Sequence, residues 1–309
     1  MVALLCPGQG SQRPGSLRSA ATLPHGAALL NQASELLHVD VLTEDDEPAL
    51  TRTEVVQRNI FLASVISARA LEDAGMRIGA VAGHSIGAYA AAVCARALAF
   101  PDALKLVDLR GRSMAAAFES GYAMGAVSGL DERAVEAIVG DTRDVFIAAE
   151  NALDQITVAG TIAGVKAALA TAQALGARTA RRLEISVPSH TPLMNPIRDL
   201  LRDAVSRIEF HRPVVPFAAN SDGRAKLEGS EVAADLAESV ALPVRWFDAT
   251  QMFCERGVRV FVEAMPGDTL ATLAAAAFPE LTAISVERSG ITRAAERARK
   301  SGHNLMIDS

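Results

Sequence analysis

The sequence predicts an α/β fold in which a parallel sheet is covered by helices and a smaller α+β unit is inserted into it. Three observations predict it. Short continuous apolar runs at residues 2–6 and 78–82 end in glycine-rich turns. Strand–helix alternation runs to about residue 122 and resumes after Val187. Between these stretches the rhythm changes to strand-helix-strand-strand-helix-strand.

Taken in order, residues 2–6 read as a buried strand stopped by Pro7-Gly8. The loop Gly8-Gln9-Gly10-Ser11-Gln12 follows, and helical spacing resumes over 27–37. The acidic run 44–47 reads as a solvated loop or helix start. Helical spacing over 55–74 stops at Gly75. A strand over 78–82 leads into the turn Gly83-His84-Ser85-Ile86-Gly87 and a helix over 88–97. A further helix follows Pro101 and carries Arg110.

The inserted unit spans 123–186, with the large domain formed by 1–122 and 187–309. Strands are expected at 123–129, 144–150, 155–160 and 178–185, with helices at 131–139 and 164–175. That order is the ferredoxin-like pattern. Afterwards helices are expected over 192–208, 231–239, 246–256 and 269–277, and strands over 214–220, 258–264 and 282–286. The tail from Arg293 should form a short helix and then fray.

Composition narrows the function. The 309 residues are 50% apolar, which suits a globular protein. A net charge of −6 and an aromatic content of 4% disfavour a nucleic-acid binder or a basic membrane-surface protein. Cys6, Cys94 and Cys254 are isolated, so neither a disulfide framework nor a metal site is expected. The N-terminus lacks a basic signal-peptide start, and no apolar run reaches membrane-spanning length. The cytoplasm is the expected compartment.

Gly83-His84-Ser85-Ile86-Gly87 carries the sharpest chemistry. A nucleophilic serine must project from a tight strand-to-helix turn, and small residues two positions either side let strand and helix pack closely. The following helix start favours negative charge. The competing reading is a chance match in a chain rich in Ala and Gly. Ser85 needs a base. His25, His38, His211 and His303 lie in polar loops, helices or the tail, and His84 suits a structural hydrogen bond at the turn. His190, where the chain re-enters the large domain, is the candidate base, against the alternative of an ordinary structural histidine.

Pro7-Gly8-Gln9-Gly10-Ser11-Gln12, the Ser85 turn, Arg110-Gly111, Val187-Pro188-Ser189-His190 and Pro243-Val244-Arg245-Trp246 together resemble the malonyl-CoA:acyl-carrier-protein transacylases, in register to about residue 286. The resemblance implies a hydrolase-like, three-layer α/β domain with a ferredoxin-like insert. It implies a Ser85–His190 dyad, with the backbone carbonyl of Ser239 orienting the imidazole. The backbone N–H groups of Gln9 and Ile86 would form an oxyanion hole. Arg110 would read the malonyl carboxylate, its plainer alternative being a helix-surface arginine. Gln57 and Ser189 would line the pocket. Malonyl-CoA and a phosphopantetheine-type carrier thiol would be substrates, with no metal and no tightly bound cofactor.

Three departures resemble instead the epsilon subunit of malonate decarboxylase, whose partner is a dedicated carrier subunit. Ala88 stands where fatty-acid enzymes carry an acidic residue. The late segment reads Glu263-Ala264-Met265-Pro266-Gly267, and Gln12 is followed by Arg13-Pro14-Gly15. Malonate decarboxylase is therefore the expected setting. A transacylase of fatty-acid or polyketide synthesis is the alternative, and a serine hydrolase or thioesterase the more distant one. Arg178, Arg181 and Arg182 form a candidate carrier-docking patch, against a plain solvated charge run.

Overall fold

A computed structural model describes residues 1–303. Its ten strands form two sheets. The large sheet contains β1 (Val2–Cys6), β2 (Ala80–Gly83), β7 (Phe217–Ala218), β8 (Ala225–Lys226), β9 (Val260–Glu263) and β10 (Thr282–Ser285), in the order β10-β9-β1-β2-β7-β8. All neighbours are parallel except β7 and β8. β1 and β2 are central and buried, which explains their unbroken apolar runs. Their carboxyl ends lie side by side, with Cys6 opposite Gly83. Ligands of such sheets bind outside these ends.

The small sheet contains β3 (Tyr122–Ser128), β4 (Val145–Ala152), β5 (Gln155–Thr161) and β6 (Thr179–Leu183), in the antiparallel order β4-β5-β3-β6. Helices Glu132–Gly140 and Ile162–Ala174 pack on it through Val135, Ile138, Val165 and Leu169. This is the expected ferredoxin-like arrangement. Asp131 caps the first helix by accepting the N–H of Ala134 at 2.9 Å. A backbone bridge between Ala149 and Val244 joins the small sheet to the segment that follows β8. Arg245 fastens the same seam through Glu132, Glu150 and Asp248.

Two long helices set the floor of the site. Thr53–Asp73 is buried on nearly every side. In Phe100–Ala117 the buried positions Ala103, Leu106, Val107, Arg110, Gly111 and Met114 recur at helical spacing. Arg110 therefore lies on the buried stripe. A Cβ on Gly111 would come within 2.7 Å of the Glu54 Cα, so this glycine brings the two helices together.

Several expectations are revised. The run 44–47 is not simply solvated: Asp45 is fully buried and accepts the N–H groups of Leu17 at 3.1 Å and Arg18 at 3.0 Å. It thereby caps a short helix, Ser16–Ala21, that periodicity does not reveal. Glu44 pairs with Arg52 and Arg58. The strand expected over 214–220 shrinks to two residues, because Pro213 and Pro216 have no N–H to donate. The helix expected over 192–208 divides into a 3-10 turn, Pro192–Met194, and an α-helix, Asn195–Val205. The C-terminal helix covers Ile291–His303, and the tail expected to fray lies outside the described residues. No helix among the described residues is long and apolar enough to cross a membrane.

The closest packing is at the Ser85 turn. A Cβ on Gly87 would fall well inside contact with the carbonyl oxygen of Cys6. Gly87→Ala should therefore cost at least about 1–3 kcal/mol by overpacking. Thermal unfolding checks this, and a melting temperature equal to wild type would contradict it.

Candidate active site

Ser85 sits between β2 and the helix Gly87–Cys94 with a backbone φ of 54°, in the left-handed region that non-glycine residues seldom adopt. Its side chain therefore projects from a sharp turn above the sheet's carboxyl edge. The turn is pinned from the neighbouring strand: the Ser85 N–H donates to Asn220 Oδ1 at 2.8 Å. The Asn220 Nδ2 donates to the Gly83 carbonyl at 2.8 Å.

His190 meets Ser85 across the site, with its Nε2 2.6 Å from the Ser85 Oγ. Its Nδ1 lies 2.6 Å from the Ser239 carbonyl oxygen and 3.2 Å from that of Leu242. Carbonyl oxygens only accept, so Nδ1 carries the proton and Nε2 presents its lone pair to the serine hydroxyl. Burial, and then the positive charge of Arg110, push the His190 pKa down to about 3, while the two carbonyls act in the opposite sense. The imidazole is thus neutral at neutral pH and able to accept a proton.

Arg110 reaches the same hydroxyl. Its Nη2 donates to the Ser85 Oγ at 3.1 Å, and its Nη1 donates to Gln57 Oε1 at 2.6 Å. Gln57 in turn approaches the Met114 sulfur at 3.4 Å. Arg110 is only 3% exposed, and burial lowers its pKa. No carboxylate pairs with it among the described residues. A buried guanidinium without a counter-ion is costly, so the site is complementary to an anion.

Ser85 and His190 open into a cavity of about 460 Å³, and Arg110 is not among the residues that line it. Gln9, Ser85, Ser189 and His190 line its floor, and Arg181 and Arg182 stand exposed at its rim. Gln9 sits on the loop after β1, and Ile86 begins the helix after β2. Neither N–H has a protein acceptor among the described residues; Ile86 follows the serine in sequence and Gln9 lines the same cavity. Ser189 is buried beside the base. Gln57 is not on the cavity wall as expected. Its helix lies one layer deeper, where Gln57 holds Arg110 from behind. Arg178 is drawn away to Asp154 at 3.0 Å. His84 turns from the serine, its Nε2 bonding Asn151 Oδ1 at 3.0 Å.

The arrangement holds groups of the kinds acyl transfer uses: a serine on a sharp turn, a neutral imidazole within hydrogen-bond distance of it, backbone N–H groups without a protein acceptor among the described residues, and a buried cation. The acyl transferase domain model matches residues 3–295. The chain belongs to the acyl transferase domain family. Among similar acyl transferases, the malonyl CoA-acyl carrier protein transacylase of Haemophilus influenzae is 34% identical, with 92% of this chain and 94% of that protein covered. The malonyl CoA-acyl carrier protein transacylase of Coxiella burnetii superposes with a TM-score of 0.91 at 33% identity, covering 98% of each chain. A malonyl-transacylase solved in complex with its type II PKS acyl-carrier protein gives a TM-score of 0.86 at 31% identity, over 92% of this chain and 94% of that one.

Sequence reasoning missed Asn220 and the second carbonyl on His190, that of Leu242. Asn220 offered one signal: a polar residue at the carboxyl end of an expected strand, where site residues of such sheets collect.

The depressed His190 pKa has a sign for stability. Below an unfolded pKa of about 6.5, the unfolded chain takes up a proton that the folded chain refuses down to about pH 3. This group therefore weakens the fold progressively as pH falls through that window. His190→Gln, which cannot titrate, should gain melting temperature relative to wild type between about pH 6.5 and 4. Parallel curves of melting temperature against pH would refute it.

Proposed function

We propose that the chain moves a malonyl group from malonyl-CoA to the thiol of an acyl-carrier protein through a malonyl-serine at Ser85. The observation that carries this reading is Arg110, a buried cation without an anionic partner, 3.1 Å from the hydroxyl of a Ser–His pair. A malonyl group brings its own carboxylate, whereas an acetyl group does not. Guanidinium recognises carboxylate with paired donors.

The steps follow from the geometry. His190 Nε2 removes the Ser85 proton as Oγ attacks the thioester carbonyl. The N–H groups of Gln9 and Ile86 receive the developing oxyanion. Collapse expels the CoA thiolate, which takes the proton from His190. The carrier thiol then gives its proton to Nε2 and attacks the malonyl-serine, regenerating Ser85. The Ser239 and Leu242 carbonyls hold the imidazole and stabilise its charged form in place of a carboxylate. No tightly bound cofactor is needed.

For the pathway, the relatives support fatty-acid or polyketide synthesis over malonate decarboxylase, so the sequence-level preference gives way. The departures that favoured malonate decarboxylase have local structural employment. Ala88 is a buried residue of the helix behind Ser85. Arg13 folds onto the carbonyls of its own loop, that of Gln12 at 2.8 Å. Glu263 is buried and accepts the Ala271 N–H at 2.7 Å at the start of the helix Thr269–Ala277. Ala88 touches the site only through its backbone, its N–H donating to the Ser85 carbonyl at 3.0 Å, so these departures have structural roles that do not depend on a carrier.

Two experiments test the reading. A carboxylate on Arg110 offsets the charge that depresses His190, so the base should strengthen with malonyl bound but not with acetyl. The acid limb of the kcat profile should lie at higher pH for malonyl than for acetyl. Arg110→Ala should cut malonyl transfer by roughly 10²-fold or more and erase both the preference and the difference between limbs. Equal losses of kcat/KM for both acyl groups would remove Arg110 from this role. Separately, Arg181→Glu with Arg182→Glu should raise KM more for an acidic carrier than for malonyl-CoA. An unchanged carrier KM leaves the rim without a docking role.

A further inference from the structure

We infer that Asn220 is a positioning residue that sets the conformation of Ser85 and reserves the oxyanion for the Gln9 and Ile86 donors. This deepens the acyl-transfer reading and rests on it only for the turnover assay.

The orientation of the Asn220 amide is determined from both sides. The Ser85 N–H can only donate, so the atom 2.8 Å from it is Oδ1. The Gly83 carbonyl can only accept, so the atom 2.8 Å from it is Nδ2. One amide therefore bridges the residues two before and at the nucleophile, on either side of the turn. Its backbone is fixed equally firmly. The Asn220 N–H donates to Asp235 Oδ2 at 3.0 Å, and its carbonyl accepts the Arg245 N–H at 2.8 Å. The other Asp235 oxygen accepts the Ser221 N–H at 2.9 Å and the Ser221 hydroxyl at 2.7 Å. Asn220 and Asp235 are each only 3% exposed.

Two consequences follow for the chemistry. Ser85 holds a φ of 54° without the freedom of glycine, and the bridge opposes its relaxation. A shift of the Oγ away from His190 Nε2 would weaken the proton transfer. Second, the nucleophile's own N–H is already spent on Oδ1. It cannot donate to the substrate oxygen, so the substrate carbonyl is drawn toward the Gln9 and Ile86 side.

Two variants test this. Asn220→Ala removes the bridge. It should lower kcat for malonyl transfer by roughly 10–10²-fold while KM for malonyl-CoA stays within about twofold. Asn220→Asp keeps the shape. Its carboxylate cannot donate to the Gly83 carbonyl, but its protonated form restores donor and acceptor together. Burial raises such a carboxyl, so activity relative to wild type should recover as pH falls from about 8 to 5. Wild-type His190 remains neutral across that range. The rate of Ser85 labelling by a fluorophosphonate provides a readout independent of the acyl donor. It should fall in Asn220→Ala and recover at low pH in Asn220→Asp. Unchanged labelling in folded Asn220→Ala, or an Asn220→Asp profile parallel to wild type, overturns the inference. If Asn220→Ala does not fold, the Asn220→Asp profile decides. Wild-type protein that labels with the phosphonate yet takes no malonyl group would defeat the proposed function and leave the Asn220 test standing.

Discussion

The site depends on a close approach between backbones. The end of β1 and the turn after β2 lie so near each other that Gly87 has no room for a side chain. That approach brings the Gln9 loop into the same cavity as Ser85. It also places the start of a helix directly under the nucleophile. Gly8 continues the same constraint, since a Cβ there would lie 2.7 Å from the His84 carbonyl oxygen. The oxyanion donors proposed here are backbone groups, so packing is what would aim them. Electrostatic stabilisation of this kind works because the donors are fixed before charge appears.

Around that backbone junction the protein assembles side chains from distant parts of the chain. Arg110 comes from a helix floor, His190 from the segment after the small sheet, and Asn220 from the end of β7. Each is held by a partner that limits its freedom: Gln57 for Arg110, the Ser239 and Leu242 carbonyls for His190, Asp235 for Asn220. Function here is placed on side chains with supporting contacts behind them, whereas Arg181 and Arg182 at the cavity rim are exposed.

Much of this was legible in the sequence, for identifiable reasons. Buried parallel strands leave unbroken apolar runs, so β1 and β2 could be read directly, and the ferredoxin-like rhythm survived because its helices bury residues at helical spacing, as at Val165, Ala168, Leu169 and Ala172. The serine turn was visible because close packing demands glycine at fixed offsets. What escaped was non-local. Asp45 looks like a solvated acid until its partners, the N–H groups of Leu17 and Arg18, are known. Asn220 shows its place at the end of an expected strand, but its partners appear only when the turn folds against it. The depth of Gln57 was misjudged because helical spacing shows which face is buried, not which layer it meets. Ala88 and the segment around Glu263 were read as pathway signals, although packing and capping account for them.

The electrostatics of the site would tie substrate choice to catalysis. His190 is held far below its usual basicity by burial and by Arg110. This keeps the imidazole neutral but makes it a weak base. Arg110 meanwhile bears a buried charge without a counter-ion and rests one hydrogen bond on the nucleophile itself. That bond stabilises negative charge on Oγ, but it also competes for the oxygen lone pairs needed for attack. A substrate carboxylate would satisfy the guanidinium, relieve the field on the imidazole and draw Arg110 from the hydroxyl. An acyl group lacking the carboxylate would fit the same space and do none of these. Discrimination of this kind would fall on the chemical step as well as on binding, because the substrate carboxylate would supply the negative charge that no side chain among the described residues presents to Arg110.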